Sequence, residues 1–105
     1  MIEVRYYRDP RGRDIFVRWF GELDREAGAR VLKAVSRLTE GNTSNVKAVG
    51  GGVSEPKIDF GPGYRVYFGW QGSTLVILLG GGTKKKQQQD IRQAQERWAD
   101  FKARG

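Results

Sequence analysis

The fold is decided by residues 57–68, which read KIDFGPGYRVYF. Two runs of alternating apolar and polar residues flank the Gly-Pro-Gly segment 61–63, and this pattern predicts two strands joined by a tight turn. Each strand carries one cation, Lys57 in the first and Arg65 in the second. Because a hairpin aligns its strands antiparallel, these two residues are expected close to cross-strand pairing. The stretch therefore predicts a small cationic cluster on a β-sheet.

Further strands are predicted on both sides of this hairpin. Its first strand extends back to Val53, and Pro56 within it favours an edge position or a bulge. The apolar run Leu75–Leu79 predicts a strand inside the sheet, because it is apolar on both faces. Near the start of the chain, Ile2–Tyr7 alternates enough to predict another strand. The segment Gly41–Gly52 is predicted to be a polar, glycine-rich loop.

Apolar residues at helical spacing predict three helices. The first lies within residues 15–23, and the second follows a capping Asp24 and stops at Gly41. A third helix is expected after a loop at residues 80–82, with Thr83 as its cap. Its apolar stripe consists of Ile91, Ala94, Trp98 and Phe101.

These elements predict an α+β fold in a single domain spanning residues 1–105, close to the common domain size. The predicted order is β-α-α-β-β-β-α. Two helices with so short a connection form a hairpin whose apolar face must be buried. A mainly antiparallel sheet is therefore expected to pack on the helical hairpin, with a C-terminal helix closing the domain.

The composition is basic and lacks the usual metal ligands. Lys and Arg number 19 against 12 Asp and Glu, which gives a net charge of +7, with no His and no Cys. Such a surface favours nucleic acid as a partner. The alternative interpretation is that the basic surface only keeps the protein soluble. Disulfides and thiolate metal sites are excluded, so no metal and no cofactor are predicted. No apolar run approaches the roughly 20 residues of a membrane span, so we expect a cytoplasmic protein.

Strand periodicity places a polar set on one face of the hairpin. This set, which is predicted to face away from the core, consists of Glu55, Lys57, Asp59, Arg65 and Tyr67. One interpretation is cross-strand ion pairs, which stabilise by roughly 0.2–1 kcal/mol and carry no chemistry. The other is an open face for a polyanion backbone, which the turn glycines allow to approach closely.

A lysine run lies at the expected start of the third helix. Backbone amides at a helix start attract anions, and Lys84, Lys85 and Lys86 occupy this position. Three cations in a first helical turn oppose the helix dipole. This placement favours a phosphate contact, although a solvated charge run is the commoner explanation for such a cluster.

Three segments together resemble the RelE/ParE superfamily of bacterial toxins, in its HigB-like branch. They are GVSEPKID (52–59), GPGYRVYF (61–68) and LLGGGTK (78–84). The resemblance implies the toxin of a type II toxin–antitoxin pair that cleaves mRNA on the ribosome and arrests growth. A cognate antitoxin of helix-turn-helix type would neutralise it. Other members poison DNA gyrase by protein binding, and this non-nuclease activity is the alternative.

The resemblance also implies roles for single residues of a metal-independent endoribonuclease. Arg65 matches the arginine that stabilises the scissile phosphate, Lys57 matches a lysine near the cut, and Lys84 matches a branch lysine. From the residues themselves, Glu55 competes with a neutral Lys57 as general base. Tyr67 or Lys84 would assist the leaving oxygen. The RNA-binding candidates are Lys85, Lys86, Lys47 and Arg92.

Two positions depart from the pattern of the branch. Thr83 stands where aspartate is usual, and Pro56 stands where leucine is usual. The first change removes a charge beside Lys84, and the second bends the strand that holds Lys57. An inactive remnant is therefore a further alternative. A plain RNA-binding module is another, but the exposed aromatics expected for base stacking are few, which disfavours it.

Overall fold

The computed structural model of the protein describes residues 2–73 and 75–104. Across these residues, five strands form one mixed sheet that packs with three α-helices, so the predicted α+β class is confirmed. In chain order the elements are β1 (Glu3–Tyr6), α1 (Ile15–Gly21), α2 (Arg25–Thr39), β2 (Val46–Gly50), β3 (Val53–Ile58), β4 (Tyr64–Gln71), β5 (Leu75–Thr83), a 3₁₀ turn (Lys84–Lys86) and α3 (Gln87–Arg104).

The strands lie in the order β1-β5-β4-β3-β2. The three pairings among β2 to β5 are antiparallel, whereas β1 runs parallel to β5. In the β3–β4 ladder, Lys57 lies directly opposite Arg65, which confirms the predicted hairpin. On its other side, Arg65 lies opposite Gly82 of β5. The strand β5 is interior to the sheet, as its apolar run predicts.

The predicted order is wrong at one element, because the segment expected to be a loop contains β2. Val46–Gly50 pairs with β3 through backbone hydrogen bonds, which its short and weakly alternating sequence does not signal. This extra strand occupies the edge of the sheet. Pro56 therefore lies in an interior strand, opposite Val46, and the predicted edge position is also wrong.

The glycines at 80–82 belong to β5 and do not form the predicted loop. They are required by close packing, because a Cβ at Gly81 would collide with the Trp19 ring and one at Gly82 with the Asp90 carboxylate. Thr83 occupies the predicted cap position before the 3₁₀ turn, but within the described part of the chain its side chain does not form the capping hydrogen bond.

Two aspartates begin the first helices. Asp14 Oδ1 accepts a hydrogen bond of 3.0 Å from the Val17 N–H, and Asp24 Oδ1 accepts one of 2.8 Å from the Ala27 N–H. Each carboxylate satisfies an amide that has no partner within its helix. The predicted cap at Asp24 is thus confirmed.

Helices cover both faces of the sheet. On one face, α1 and α2 pack over a core of Phe16, Val31, Leu38, Ile58, Val66, Phe68, Val76 and Leu78. On the other, α3 packs over Tyr7, Val53, Tyr67, Ile77, Leu79, Ala94 and Trp98. The predicted open face for Arg65 and Tyr67 is therefore wrong, because the apolar stripe of α3 covers it. No helix within the described ranges is both long and apolar enough to cross a bilayer.

Candidate functional site

A buried ion pair lies at the centre of the hairpin. Arg65 Nε is 3.1 Å from Glu55 Oε2, and the two side chains are 6% and 4% exposed. Gln87, the first residue of α3, places its Nε2 3.3 Å from each carboxylate oxygen of Glu55. Glu55 is thus held from two sides, by β4 and by α3. Removing one partner of such a pair typically costs about 3–5 kcal/mol, because the other charge is left buried.

The Arg65 guanidinium reaches toward the Gly-Pro-Gly turn. A Cβ added at Gly63 would lie 3.3 Å from Arg65 Nη1 and 3.6 Å from the Cβ of Lys84. The Lys84 N–H also donates a hydrogen bond of 2.8 Å to the Gly63 carbonyl. Gly63 has a φ of +78°, which glycine adopts without steric cost. The turn therefore brings Arg65 and Lys84 together across a position that has no side chain.

Lys57 completes this group from the neighbouring strand. It lies opposite Arg65 in the β3–β4 ladder, and facing residues of an antiparallel pair are about 4.5–5.5 Å apart at Cα. Lys57 and Lys84 are exposed, whereas Arg65 is buried between them. The structure thus gathers Lys57, Arg65 and Lys84 around the turn, with two exposed ammonium groups beside one enclosed guanidinium.

Tyr67 lies deeper than the sequence predicts. Its side chain is 1% exposed, and its hydroxyl has no hydrogen-bond partner among the described residues. Burial raises the pKa of Tyr67 well above its usual value, and the charges of Glu55 and Asp90 raise it further, while Arg65 opposes them. The phenol is therefore neutral at physiological pH and lies beneath α3, away from the exposed lysines.

Two charged groups of α3, Asp90 and Arg97, were not among the predicted site residues. Burial raises the pKa of Asp90, which packs against Gly82, and Lys86 and Arg97 partly offset the effect. Burial also lowers the pKa of Arg97, whose Nη1 donates a hydrogen bond of 3.3 Å to the Leu79 carbonyl. The sequence feature that indicates such close packing is the glycine run 80–82, because strand residues without side chains let α3 approach β5 closely.

Gln87 was likewise missed as a site residue, although it holds Glu55. Gln87 lies at the start of α3, directly after the lysine run 84–86, and that run was the feature that marked this segment in the sequence. Within the described ranges, no three acidic, histidine or cysteine side chains gather in a way that could hold a metal ion.

The predicted RNA-binding cations fall into two groups. Lys47 of β2 and Arg92 of α3 line one shallow groove, which Gln87 also lines. Gln87 connects this groove to the buried ion pair through its hydrogen bonds to Glu55. Lys85 and Lys86 are exposed on the 3₁₀ turn that leads into α3. The four cations therefore lie near one end of α3, beside the candidate site.

The chain is similar to known proteins over most of its length. A relative in Haemophilus influenzae, described as an uncharacterized protein, is 43% identical over 81 residues, which are 76% of this chain and 82% of the relative. Residues 18–99 match the family described as "Phage derived protein Gp49-like (DUF891)", and this span includes the candidate site. The family is consistent with the resemblance to toxins of toxin–antitoxin systems. The chain belongs to the Gp49-like family of phage-derived proteins.

Proposed function

We propose that this protein is the toxin of a type II toxin–antitoxin pair and that it cleaves mRNA on the ribosome without a metal. One observation supports this above all: Lys57, Arg65 and Lys84 meet around the turn at residues 61–63, on a chain of net charge +7. The family and the resemblance to HigB-like toxins support the toxin assignment. We assign the activity to one RelE-like domain spanning residues 1–105.

RNA cleavage of this kind requires a base for the 2′-hydroxyl, stabilisation of the phosphorane and a proton for the leaving oxygen. We assign phosphorane stabilisation to Arg65, whose Nη1 points to the side-chain-free position at Gly63. A guanidinium suits this task because its planar fork binds two phosphate oxygens. Its ion pair with Glu55 keeps the buried guanidinium on this side of the hairpin before substrate arrives.

The other roles follow from exposure. Lys57 is accessible to substrate beside Arg65, and we assign it the general-base role, which requires its neutral amine form. Glu55 is already occupied by Arg65 and Gln87. Lys84 is exposed on the other side of Gly63, and we assign it to the leaving oxygen. Tyr67 supports the buried side of Arg65 and does not touch RNA. Ordered ribosomal RNA supplies the remaining positioning.

The surrounding cations dock the toxin on the ribosome. Lys85, Lys86, Lys47 and Arg92 contact RNA phosphates in this proposal, and such contacts weaken steeply with salt. The partners are then the ribosome, mRNA and a cognate antitoxin, in the bacterial cytoplasm.

Gyrase poisoning by protein binding is the second candidate, and one observation favours it. The arginine that would bind phosphate is 6% exposed and already lies beside a carboxylate. A toxin that acts by protein binding needs no free guanidinium, so the burial of Arg65 is compatible with this activity.

The two candidates separate in a paired assay with the purified chain. One reaction contains ribosomes with bound mRNA, and the other contains DNA gyrase with relaxed plasmid. The proposed function predicts discrete mRNA cuts only when ribosomes are present, with normal supercoiling. Intact mRNA together with inhibited supercoiling would replace it by the gyrase alternative, and no effect in either reaction would support an inactive remnant.

A further inference from the structure

A second, larger groove lies on the opposite side of β2 from the one that Lys47 and Arg92 line. It has a volume of about 730 Å³ and runs between α2 and the β2–β3 edge of the sheet. We call it the α2 groove. Its lining includes Glu26, Arg30, Lys33, Arg37, Lys57 and Asp59.

The rim of the α2 groove is cationic. Four of its lining residues carry a positive charge, namely Arg30, Lys33, Arg37 and Lys57, and two carry a negative charge. One of the acids is already engaged, because Glu26 lies 3.8 Å from Arg30. Arg30 is also held with its guanidinium carbon 4.5 Å from the centre of the Phe60 ring. The rim therefore presents fixed positive charge to an occupant.

The floor of the α2 groove is aliphatic. Leu38 and Ile58 are buried there, and Ala34, Val46 and Pro56 line it beside them. Among the described residues that line it, none is aromatic, so it offers no platform on which a base could stack. An aliphatic floor between cationic walls matches apolar side chains flanked by carboxylates better than it matches RNA.

We infer that the α2 groove is the docking site for an acidic, amphipathic segment of a protein partner. The apolar side chains of the segment lie on the aliphatic floor, and its carboxylates pair with Lys33, Arg37 and Arg30. The identification of this partner as the antitoxin rests on the proposed function, whereas the chemistry of the groove does not.

This placement links docking to inhibition. Lys57 lines the α2 groove and also lies opposite Arg65 in the sheet. A segment in the groove therefore lies against the strand that carries Lys57, on the opposite face of the sheet from the Arg65 side chain. An antitoxin that docks there occupies the edge of the sheet next to Lys57 and hinders approach of the ribosome without entering the turn at residues 61–63.

The test uses the full chain, labelled with ¹⁵N, and three probes. The first is a synthetic helical peptide of about 16 residues, roughly four turns, with leucines on one face and glutamates elsewhere. The second replaces every glutamate by lysine, and the third is a single-stranded RNA oligonucleotide. The inference predicts that the acidic peptide alone shifts the amide signals of Ala34, Val46 and Ile58. Shifts confined to another surface, or caused by the RNA instead, would overturn it.

Matched variants separate a local effect from one of net charge. Lys33→Glu combined with Arg37→Glu should weaken binding of the acidic peptide about tenfold or more, because two rim contacts become repulsive. Arg18→Glu combined with Arg25→Glu makes the same change in charge at exposed positions outside the groove lining. This control should change the affinity for the acidic peptide less than about twofold. Equal losses in both double variants would reduce the interaction to general charge attraction and contradict a defined site.

The same variants keep the two proposals apart. Lys33→Glu with Arg37→Glu leaves Lys57, Arg65 and Lys84 in place, so ribosomal mRNA cleavage can be measured in the identical protein. In the unaltered chain, cleavage without peptide binding at the α2 groove ends the docking inference alone, and peptide binding at the groove without cleavage ends the nuclease proposal alone. In the double variant, the docking inference predicts cleavage together with weakened peptide binding.

Discussion

Lys57 and Arg65 face each other across the β3–β4 ladder, yet Lys57 is exposed and Arg65 is buried against Glu55. The difference arises at α3, whose first residue Gln87 contacts Glu55 and closes that end of the sheet. The pair of cations is therefore asymmetric. One lies at the surface, and the other is enclosed beside Glu55 near the turn at residues 61–63.

The buried ion pair should be a major determinant of stability. Glu55→Ala and Arg65→Ala should each lower the free energy of unfolding by about 3–5 kcal/mol, since each leaves one charge buried alone. The double variant should lose less than the sum of the two. Urea unfolding followed by circular dichroism measures all three. Glu3→Ala, which removes an exposed pair with Arg5, is the control and should cost less than about 1 kcal/mol. Equal costs for Glu55→Ala and Glu3→Ala would contradict the importance of the buried pair.

Close packing of α3 on β5 should make Gly82 intolerant of a side chain. A Cβ at this position would collide with the Asp90 carboxylate, so Gly82→Ala should destabilise the fold by about 1–3 kcal/mol. Gly21→Ala is a suitable control, because a Cβ there meets no described atom within 4 Å. Thermal unfolding of both variants decides the matter, and a Gly82→Ala protein as stable as the control would refute the packing of Asp90.

Asp90 should give the protein a specific pH dependence. Burial raises its pKa above the usual 3.8. The folded chain therefore binds this proton more tightly than the unfolded chain does, and ionising Asp90 lowers stability as pH rises above about 4. Asp90→Asn cannot ionise. The difference in the free energy of unfolding between Asp90→Asn and the unaltered protein should be constant below about pH 4. It should then grow in favour of Asp90→Asn as the pH rises through the folded-state pKa of Asp90. Urea titrations between acidic and neutral pH test this, and a difference independent of pH would count against a buried Asp90.

The groove between β2 and α3 should contribute to RNA binding through charge alone. Lys47→Ala and Arg92→Ala should each weaken binding to a ribosomal RNA fragment and reduce the slope of log K against log salt by about one. Arg18→Ala, at an exposed position outside this groove, should leave the slope unchanged. Fluorescence anisotropy across a salt series gives these slopes. Identical slopes for all three variants would remove Lys47 and Arg92 from the RNA contact.

Local signals in the sequence were sufficient for the elements with strong periodicity or caps. Asp24 marks the start of α2, and the turn at 61–63 fixes the register that pairs Lys57 with Arg65. The strand β2 was missed because its five residues pair through their backbone and carry little pattern of their own. Its partner β3 begins after only two residues, Gly51 and Gly52, so glycines that were assigned to a loop form the turn of a second β-hairpin.

Periodicity predicted which candidate residues share a face of the sheet, but it did not predict how deeply they are buried. Periodicity placed Glu55, Arg65 and Tyr67 on one face of the sheet, and they do share it. It could not show that α3 would cover this face, because a helix with one apolar stripe can pack on either side of a sheet. Burial of Arg65 and Tyr67 is thus a tertiary property, set by the packing of α3 on Val53, Ile77 and Leu79.

The most direct test of the proposed site is the single-turnover rate of mRNA cleavage on ribosomes by three variants of equal fold. Lys57→Ala and Lys84→Ala remove exposed side chains, so both should fold normally yet cleave about 100-fold or more slowly. Arg18→Ala, an exposed cation remote in sequence from the turn, should cleave at close to the unaltered rate. If Lys57→Ala and Lys84→Ala cut as fast as Arg18→Ala does, the cations gathered at the Gly-Pro-Gly turn are not the cleavage site.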